Sequence, residues 1–435
     1  MAPTTATWRN WAGNQQATPV TVTRPTSIDE VTAAIQDATA NGRRIKAVGS
    51  GHSFTDIALA DDIRLDLSGI GSTLSVDLES RVVSAPAGMP LRALNQALAA
   101  HGLALPNLGD IDAQTIAGAI STGTHGTGAG YGCLSTFVVG LTLVTGTGEV
   151  ITCGPDEHPE IFVAAQVGLG ALGVITEVKL RCVDAFVLHA DERPMPLDSV
   201  LAGLPEHVDG NDHFEFYWLP YTERTLIKRN NRVAADERPL SRLRAWWDDD
   251  FLQNTVLGGL CRVGRRMPAL VPAISRTEAR VLTPRVYTAR SDVAFVSPRR
   301  VRFTEMEYGL PRDALPEAFA GLRRVVESLP LKVLFPVEVR FSASDSIWLS
   351  HGHGRESAYI AIHQYVGVEY EPYFRAFERV AQDLGGRPHW GKLHYRDAES
   401  LRPVYRHFDD FLAVRDRLDP HRLFANAYTE RVLGL

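Results

Sequence analysis

The sequence predicts an α+β protein of two domains, and three observations carry that reading. At 435 residues the chain exceeds the size at which one hydrophobic core stops growing. Up to about Arg181 short β-patterned runs alternate with amphipathic helical ones. Beyond about Asp184 long aromatic strands interleaved with helices take over, a pattern that suits one large antiparallel sheet with helices on a face. The expected division is 1–183 for the first domain, with subdomains near 1–75 and 76–183, then 184–400 for the second and 401–435 for a tail.

Each element has a local reason. Ser27 and Glu30 form a capping pair before a helix with Val31, Ile35 and Ala38 at helical spacing, and Gly42 closes it. Arg44 to Val48, Arg64 to Leu67 and Val82 to Ala85 read as strands, and Leu91, Leu94 and Leu98 mark one face of a helix over 91–101. Phe137 to Thr145 and Val174 to Leu180 alternate like half-buried strands. In the second half Phe214 to Leu219, Val301 to Tyr308, Val333 to Phe341 and Tyr359 to Tyr365 read as strands, with helices over 313–329 and 371–384.

Composition narrows the class. The chain is 45% hydrophobic and 22% charged, as soluble globular proteins are, and its net charge of −6 argues against a nucleic-acid binder. Cys133, Cys153, Cys182 and Cys261 show neither CxxC pairing nor metal-ligand spacing, so reduced thiols in a cytoplasmic protein are the expectation. The first ten residues have no apolar stretch fit for a secretory signal, and no window is long and apolar enough to span a bilayer. Between 262 and 302 ten arginines face only Glu278 and Asp292. A solvated face is the favoured reading of that bias, and a peripheral contact with anionic lipid is the alternative.

The chemistry concentrates in two small-residue segments. Val48-Gly49-Ser50-Gly51-His52-Ser53 follows a strand, and its small residues let backbone N–H groups approach an anion closely. A nucleotide needs no imidazole for its phosphates, so His52 calls for a second explanation, such as a covalent bond to a cofactor. The second segment, Leu103 to Gly128, is again rich in glycine and hydroxyls, with Gly118, Ala119, Ser121 and Thr122 as a second wall and Thr115 as a hydrogen-bonding hydroxyl. Gly168-Leu169-Gly170-Ala171-Leu172-Gly173 fits the dinucleotide fingerprint letter for letter, but a strand rather than a helix is expected after it, which argues against a nicotinamide-binding fold. Glu338 and Arg340, two apart on an expected strand, project from one face. Lys392 follows His389-Trp390-Gly391, and His363 lies in Ile362-His363-Gln364-Tyr365.

These segments resemble the FAD-linked oxidase superfamily typified by vanillyl-alcohol oxidase and p-cresol methylhydroxylase. Glu338-Val339-Arg340 and His389-Trp390-Gly391-Lys392 resemble the signatures of its aldonolactone oxidoreductases, the group of gulonolactone and arabinonolactone oxidases, galactonolactone dehydrogenase and alditol oxidase. The resemblance runs from about Trp11 into the tail, with four motifs in family order. It implies an FAD-binding domain of p-cresol methylhydroxylase type, a substrate-binding cap, and a tail returning to the first domain. It implies that His52 bonds to the flavin 8α carbon, and that Val48, Gly49, Ser50, Gly51, Ser53, Gly109, Asp110, Thr115, Gly118, Ala119, Ser121, Thr122 and Val174 hold FAD. Glu338, Arg340 and Lys392 would be catalytic, with His363 joining them around the substrate, and no metal is implied. Glycine at 109, beside flavin C4a in the family, is typical of oxidases, so electrons would pass to oxygen or to a respiratory acceptor. Asp110 departs from the serine of alditol oxidase, which tilts the substrate toward a sugar 1,4-lactone: L-gulono-, L-galactono- or D-arabinono-.

Three other readings stand beside this one. An alditol oxidase would act on linear polyols such as xylitol. A flavin-binding module without catalysis would have no need for Glu338, Arg340 and Lys392 together. A metal hydrolase using His351, His353, His389 and His394 is the weakest, because no HExxH-type pair orders them.

Overall fold

The computed structural model describes residues 7–71 and 73–434. Residues 1–6, part of the segment read above for a leader, lie outside it.

In the first half, Ser27 accepts the Glu30 N–H at the start of helix Ile28–Ala40, which turns Val31, Ile35 and Ala38 inward and ends before Gly42, at φ +59°. Beside it lies a parallel three-stranded sheet in the order Thr21–Thr23, Ile63–Leu65, Ile45–Ala47. A five-stranded antiparallel sheet follows, in the order Val150–Cys153, Val138–Val144, Val174–Arg181, Val82–Pro86, Ser75–Asp77. Helices Leu91–Ala100, Ile116–Ser121 and Pro159–Ala165 also belong to this half. The strand Val174–Arg181 does follow the glycine run 168–173, and Leu169 and Gly170 both take positive φ, +55° and +61°, so this glycine run forms a turn rather than the opening of a helix.

The second half is built on an eight-stranded antiparallel sheet. Its order is Arg285–Arg290, Val187–Pro196, Arg224–Val233, His213–Trp218, Val337–Ser342, Ser357–Tyr365, Phe303–Pro311, Arg387–Pro388. Strand alternation gives this sheet two opposite characters. Phe214, Phe216, Met306, Tyr308, Val339, Phe341, Ile360 and Ile362 join a core with Phe319 of helix Leu315–Ser328 and with Phe374 and Phe377 of helix Glu371–Asp383. The intervening residues Glu215, Tyr217, Glu305, Glu307, Glu338, Arg340 and His363 occupy the other face. A charged face that is nonetheless buried marks where the chemistry sits.

Some boundaries differ from the sequence reading. The strand expected from Val333 begins at Val337, just after Pro336, which has no N–H for a ladder. Strands Val150–Cys153, Val187–Pro196 and Arg224–Val233, helix Pro159–Ala165 and the helical run 242–281 were not expected. Arg224–Val233 hides its alternation because it carries Arg224, Lys228, Arg229 and Arg232. The ten arginines also divide: Arg285 pairs with Glu192 and Asp249, Arg290 with Asp292 and Arg299 with Asp110, whereas Arg262, Arg265, Arg266, Arg276 and Arg280 are exposed.

The tail returns to the first half. Leu401, Tyr405, Phe411, Val414, Phe424 and Tyr428 share one core with Ile45, Leu65 and Leu91. The Ile45 N–H donates to Leu423 O at 2.9 Å, and the buried Lys46 Nζ donates to Phe424 O at 2.9 Å and Gly170 O at 3.3 Å. Burial pushes the Lys46 ammonium down from 10.5 to about 8 against the pull of Asp419. Between pH 8 and 10.5 the unfolded chain holds a proton that the folded chain has released, so stability rises with pH across that window. Relative to the parent, Lys46→Met is therefore expected to lose up to ~3 kcal/mol of its advantage between pH 7 and pH 10.5. Denaturant titrations at the two pH values check this; a difference that does not change with pH contradicts it.

Candidate active site

An open groove of about 320 Å³ runs between the two small-residue segments and is lined by Val48, Gly49, Ser50, Gly51, His52 and Ser53 on one side and Thr115, Gly118, Ser121 and Thr122 on the other. Close packing shapes both walls. A Cβ on Gly49 would lie 2.4 Å from Thr115 Oγ1, and Gly51 combines φ +70° with a Cβ position 2.8 Å from the Trp8 ring. The Thr115 hydroxyl caps helix Ile116–Ser121 by accepting from the Gly118 N–H. Small residues, hydroxyls and the basic groups of Lys46 and Arg64 along one groove fit the pyrophosphate of FAD. Ala119 and Val174 were also expected at the cofactor, but their side chains are buried in the core, leaving only their backbone to serve the groove.

The loop of His52 is tied to the loop of Lys392. Phe54 N–H donates to Gly391 O at 2.7 Å, while Lys392 N–H donates to His389 O and Leu393 N–H to Glu305 O, both at 2.9 Å. His52 stacks on Trp11 at 5.8 Å. Burial and the positive charge of Lys392 both hold the His52 imidazole below its ordinary range, against a smaller opposite pull from Asp112, so the ring is neutral and its nitrogen nucleophilic.

The polar face of the large sheet carries the remaining groups in register. Tyr217 lies opposite Glu338, Glu338 opposite Ala361, and Ala361 opposite Glu307. Because Ala361 is small, Arg340 reaches across the row: its Nη2 is 2.9 Å from Glu307 Oε1 and its Nε 3.5 Å from Glu338 Oε1. Glu338 also accepts from the Tyr217 hydroxyl at 2.8 Å, and Lys228 lies 3.1 Å from Glu215. Lys392 Nζ pairs with Glu305 Oε2, whose second oxygen is 3.5 Å from His363 Nε2.

Burial sets the protonation pattern. It pushes the Glu307 carboxyl up, but Arg340 and His125 overcome it and hold the group well below the usual range. Glu338 goes the other way: burial, with Asp110 and Glu215 adding to it, raises its carboxyl against Arg340. Burial also raises Asp110, yet Arg299 and Arg340 bring it far below the ordinary value. The site thus holds one carboxyl pushed well below the usual range beside one pushed above it.

All four expected catalytic and substrate residues lie on this face, Glu338 and Arg340 in one paired cluster and Lys392 and His363 in a second joined by Glu305. Gly109 sits against the His125 carbonyl, where a Cβ would come within 3.1 Å. Asp110 is bound to Arg299 at 2.7 Å rather than standing in the groove. The sequence reading missed Glu305, Glu307, Tyr217, Lys228, Arg299 and His125. The alternation Thr304-Glu305-Met306-Glu307-Tyr308 carried the signal for two of them, since acidic residues at period two within an apolar strand mark a polar face.

The four histidines of the metal reading do not converge. His351 stacks on His389 at 4.8 Å, but His394 bonds Tyr428 OH at 2.9 Å and His353 approaches Ile347 O at 3.1 Å. A different trio, His125, Glu307 and His389, has its ligand atoms within 4.8 Å. His389 Nδ1 accepts from the Gly391 N–H at 3.0 Å, so its hydrogen sits on Nε2, and Glu307 is already engaged by Arg340. With that hydrogen on His389, the trio offers an ion lone pairs from only two of its members, His125 Nε2 and Glu307 Oε2.

Residues 178–432 match the family of D-arabinono-1,4-lactone oxidase, and 19–154 match an FAD-binding domain. An L-gulono-1,4-lactone dehydrogenase of Mycobacterium tuberculosis is 44% identical over 98% of this chain and 99% of its own length. The L-gulonolactone oxidase of Bos taurus is 35% identical, covering 98% of each chain, and a D-arabinono-1,4-lactone oxidase of Yarrowia lipolytica is 28% identical over 96% of this chain and 95% of its own. In fold, the chain superposes on a solvent-stable cholesterol oxidase with a TM-score of 0.82 at 19% identity, covering 99% of this chain and 97% of the other.

Arg340→Met would leave Glu307 buried with only His125 beside it, at an expected cost of about 3–5 kcal/mol in stability. Adding Glu307→Gln is expected to recover most of that loss in denaturant titrations. An undiminished loss in the double variant would show that the pair does not act as a unit.

Proposed function

The chain belongs to the D-arabinono-1,4-lactone oxidase family, and from that premise we propose that it is an FAD-dependent oxidoreductase that oxidises the CH–OH group of a sugar 1,4-lactone. The substrate class we assign is an L-gulono-, L-galactono- or D-arabinono-1,4-lactone. The observation that supports this most strongly is the buried polar row Tyr217–Glu338–Ala361–Glu307 with Arg340 lying across it, on a sheet face next to the loop that His52 and Lys392 share. We assign 1–183 to the FAD-binding domain, 184–400 to the substrate cap and 401–435 to the returning tail.

The roles follow from charge and reach. FAD, when bound, supplies the hydride acceptor; His52 would tether it, and the walls Val48–Ser53 and Thr115–Thr122 would hold its phosphates. Glu338 orients a substrate hydroxyl, its carboxylate kept in place by Tyr217. Arg340 supplies fixed positive charge where negative charge develops as the carbinol C–H bond breaks, and Lys392 adds positive charge there, which favours the transition state over the ground state. The hydroxyl proton passes to Lys392 or to water. Asp110, bound to Arg299, stands where alditol oxidase has serine, which favours a lactone over a linear polyol. Gly109 leaves room for dioxygen, and electrons go to oxygen, giving hydrogen peroxide, or to another acceptor.

Anaerobic mixing with the three lactones and with xylitol is expected to bleach the flavin fastest with a lactone; bleaching by xylitol alone would overturn the assignment. Arg340→Met and Lys392→Met are each expected to slow that bleaching about 10²–10³-fold. Yellow colour retained in acid-precipitated protein, and lost from it in His52→Ala, would establish the tether.

Among the described residues no helix is long and apolar enough to cross a membrane. All four cysteines are free and buried, which supports a cytoplasmic placement. The lipid alternative for the arginine bias gains support from its neighbours: Leu243, Trp246, Trp247, Val263, Met267, Leu270 and Val281 are exposed in the same helical run as Arg262, Arg265, Arg266, Arg276 and Arg280. Co-sedimentation with phosphatidylglycerol vesicles, but not phosphatidylcholine vesicles, is expected, and Arg265→Glu with Trp247→Ser should reduce it about tenfold or more. Equal partitioning with both lipids, or none, returns the patch to a solvated face.

A further inference from the structure

Glu305 has no role in the reaction as described so far and His363 only an expected place around the substrate, yet both are aligned with Lys392. Glu305 lies directly opposite His363 in the sheet register, and Leu393 N–H bonds Glu305 O at 2.9 Å, which brings the Lys392 loop onto the same strand edge. One Glu305 oxygen, Oε2, holds Lys392 Nζ; the other, Oε1, lies 3.5 Å from His363 Nε2. The other ring nitrogen, His363 Nδ1, is 3.2 Å from Pro336 O, an atom that only accepts, so Nδ1 carries a hydrogen and Nε2 is the nitrogen open to a proton. A carboxylate with an amine on one oxygen and a proton-accepting imidazole nitrogen on the other is built to pass a proton between them.

The second histidine–glutamate pair shows why the path runs here. His125 Nδ1 likewise bonds a backbone carbonyl, Gly126 O at 2.8 Å, and its Nε2 faces Glu307 Oε1 at 3.3 Å. Glu307, however, is locked to Arg340 at 2.9 Å, a cation that never gives up its proton. Glu305 is paired instead with a lysine, which can.

We propose that Lys392, Glu305 and His363 form the proton path of the oxidation, with Glu305 and His363 as positioning residues acting through Lys392. Nζ gives a proton to Glu305 Oε2, a turn of the carboxyl group about Cγ–Cδ carries that protonated oxygen to the side of His363, and Nε2 takes the same proton. The result is an amine, a carboxylate and an imidazolium, with no change in total charge. The Lys392 amine is then placed to take the proton of the substrate hydroxyl as the carbinol becomes a carbonyl, and FAD, when bound, would supply the acceptor for the departing hydride. The proton on His363 exchanges with water. The other charged or titratable groups facing this path are Glu307 and His389 on the sheet side and His52 on the groove side, with Arg340 beyond Glu307.

This path rests on the lactone oxidation proposed above, and its test separates the two. In anaerobic stopped flow the limiting rate of flavin bleaching is compared across pH 6–9 for the holoenzyme, His363→Gln and Glu305→Gln. With the path cut, Lys392 must lose its proton to solvent, so both variants are expected to bleach slowly at pH 6 and to speed up by about tenfold per pH unit where the parent is flat. Imidazole added to His363→Ala at pH 7 is expected to restore part of the rate. A uniform, pH-independent loss without imidazole rescue would mean that these residues only support the fold of the site, and an unchanged rate would mean that they are idle; either overturns the path. A second readout needs no turnover: in ¹⁵N-histidine-labelled holoenzyme the signal that disappears in His363→Gln is expected to gain imidazolium character at pH 7 in Lys392→Met. An unmoved signal contradicts the coupling. If no lactone or polyol bleaches the parent, the functional assignment fails, while the ¹⁵N signal still reports on the path.

Discussion

The site depends on one constraint: charges on the inner face of the large sheet are out of water and persist only because each has a partner. Glu307 is fully buried, and Arg340 is its counter-charge; Glu338 shares Arg340, Glu305 holds Lys392, and Asp110 holds Arg299. Burying an unpaired ion costs several kcal/mol, so these groups stand or fall together. The arrangement leaves two cations in the resting site beside the groove: Arg340, which keeps its charge throughout, and Lys392, which can lend a proton to Glu305 and regain one.

That face exists because a sheet alternates. The strands that send phenylalanines and isoleucines toward helices Leu315–Ser328 and Glu371–Asp383 must send their alternate residues the opposite way. The first half uses different means for the same end: small residues at Gly49, Gly51 and Gly118 open a groove by packing backbone closely. The bonds from Phe54 to Gly391 and from Leu393 to Glu305 join the two, so that the His52 loop and the cationic sheet face belong to one assembly.

Much of this was legible in the residues. The Ser27 cap, the loop 48–53, the strand after the glycine run and the Glu338–Arg340 pair all followed from local chemistry, because each rests on a spacing that a short segment fixes by itself. What stayed hidden was whatever needed a partner distant in sequence. Lys228 reads as a solvent-facing charge until Glu215 is placed beside it, Asp110 reads as a cofactor contact until Arg299 arrives from 189 residues away, and strand Arg224–Val233 looks like a polar loop for the same reason. Family membership resolved the reaction class, which neither the spacing nor the fold could give alone, since related folds serve different substrates.

The central claim is that in the resting oxidised enzyme Arg340 and Lys392 present positive charge to a flavin held beside His52. Sulfite tests it most directly, because it adds to flavin N5 and leaves a negative charge on the ring that nearby cations stabilise. Titrating the oxidised holoenzyme with sulfite while following the visible absorbance should give bleaching, with affinity weakened by about tenfold or more, ~1.4 kcal/mol, in Arg340→Met and again in Lys392→Met. Equal sulfite affinity in the parent and both variants would show that these cations do not face the ring.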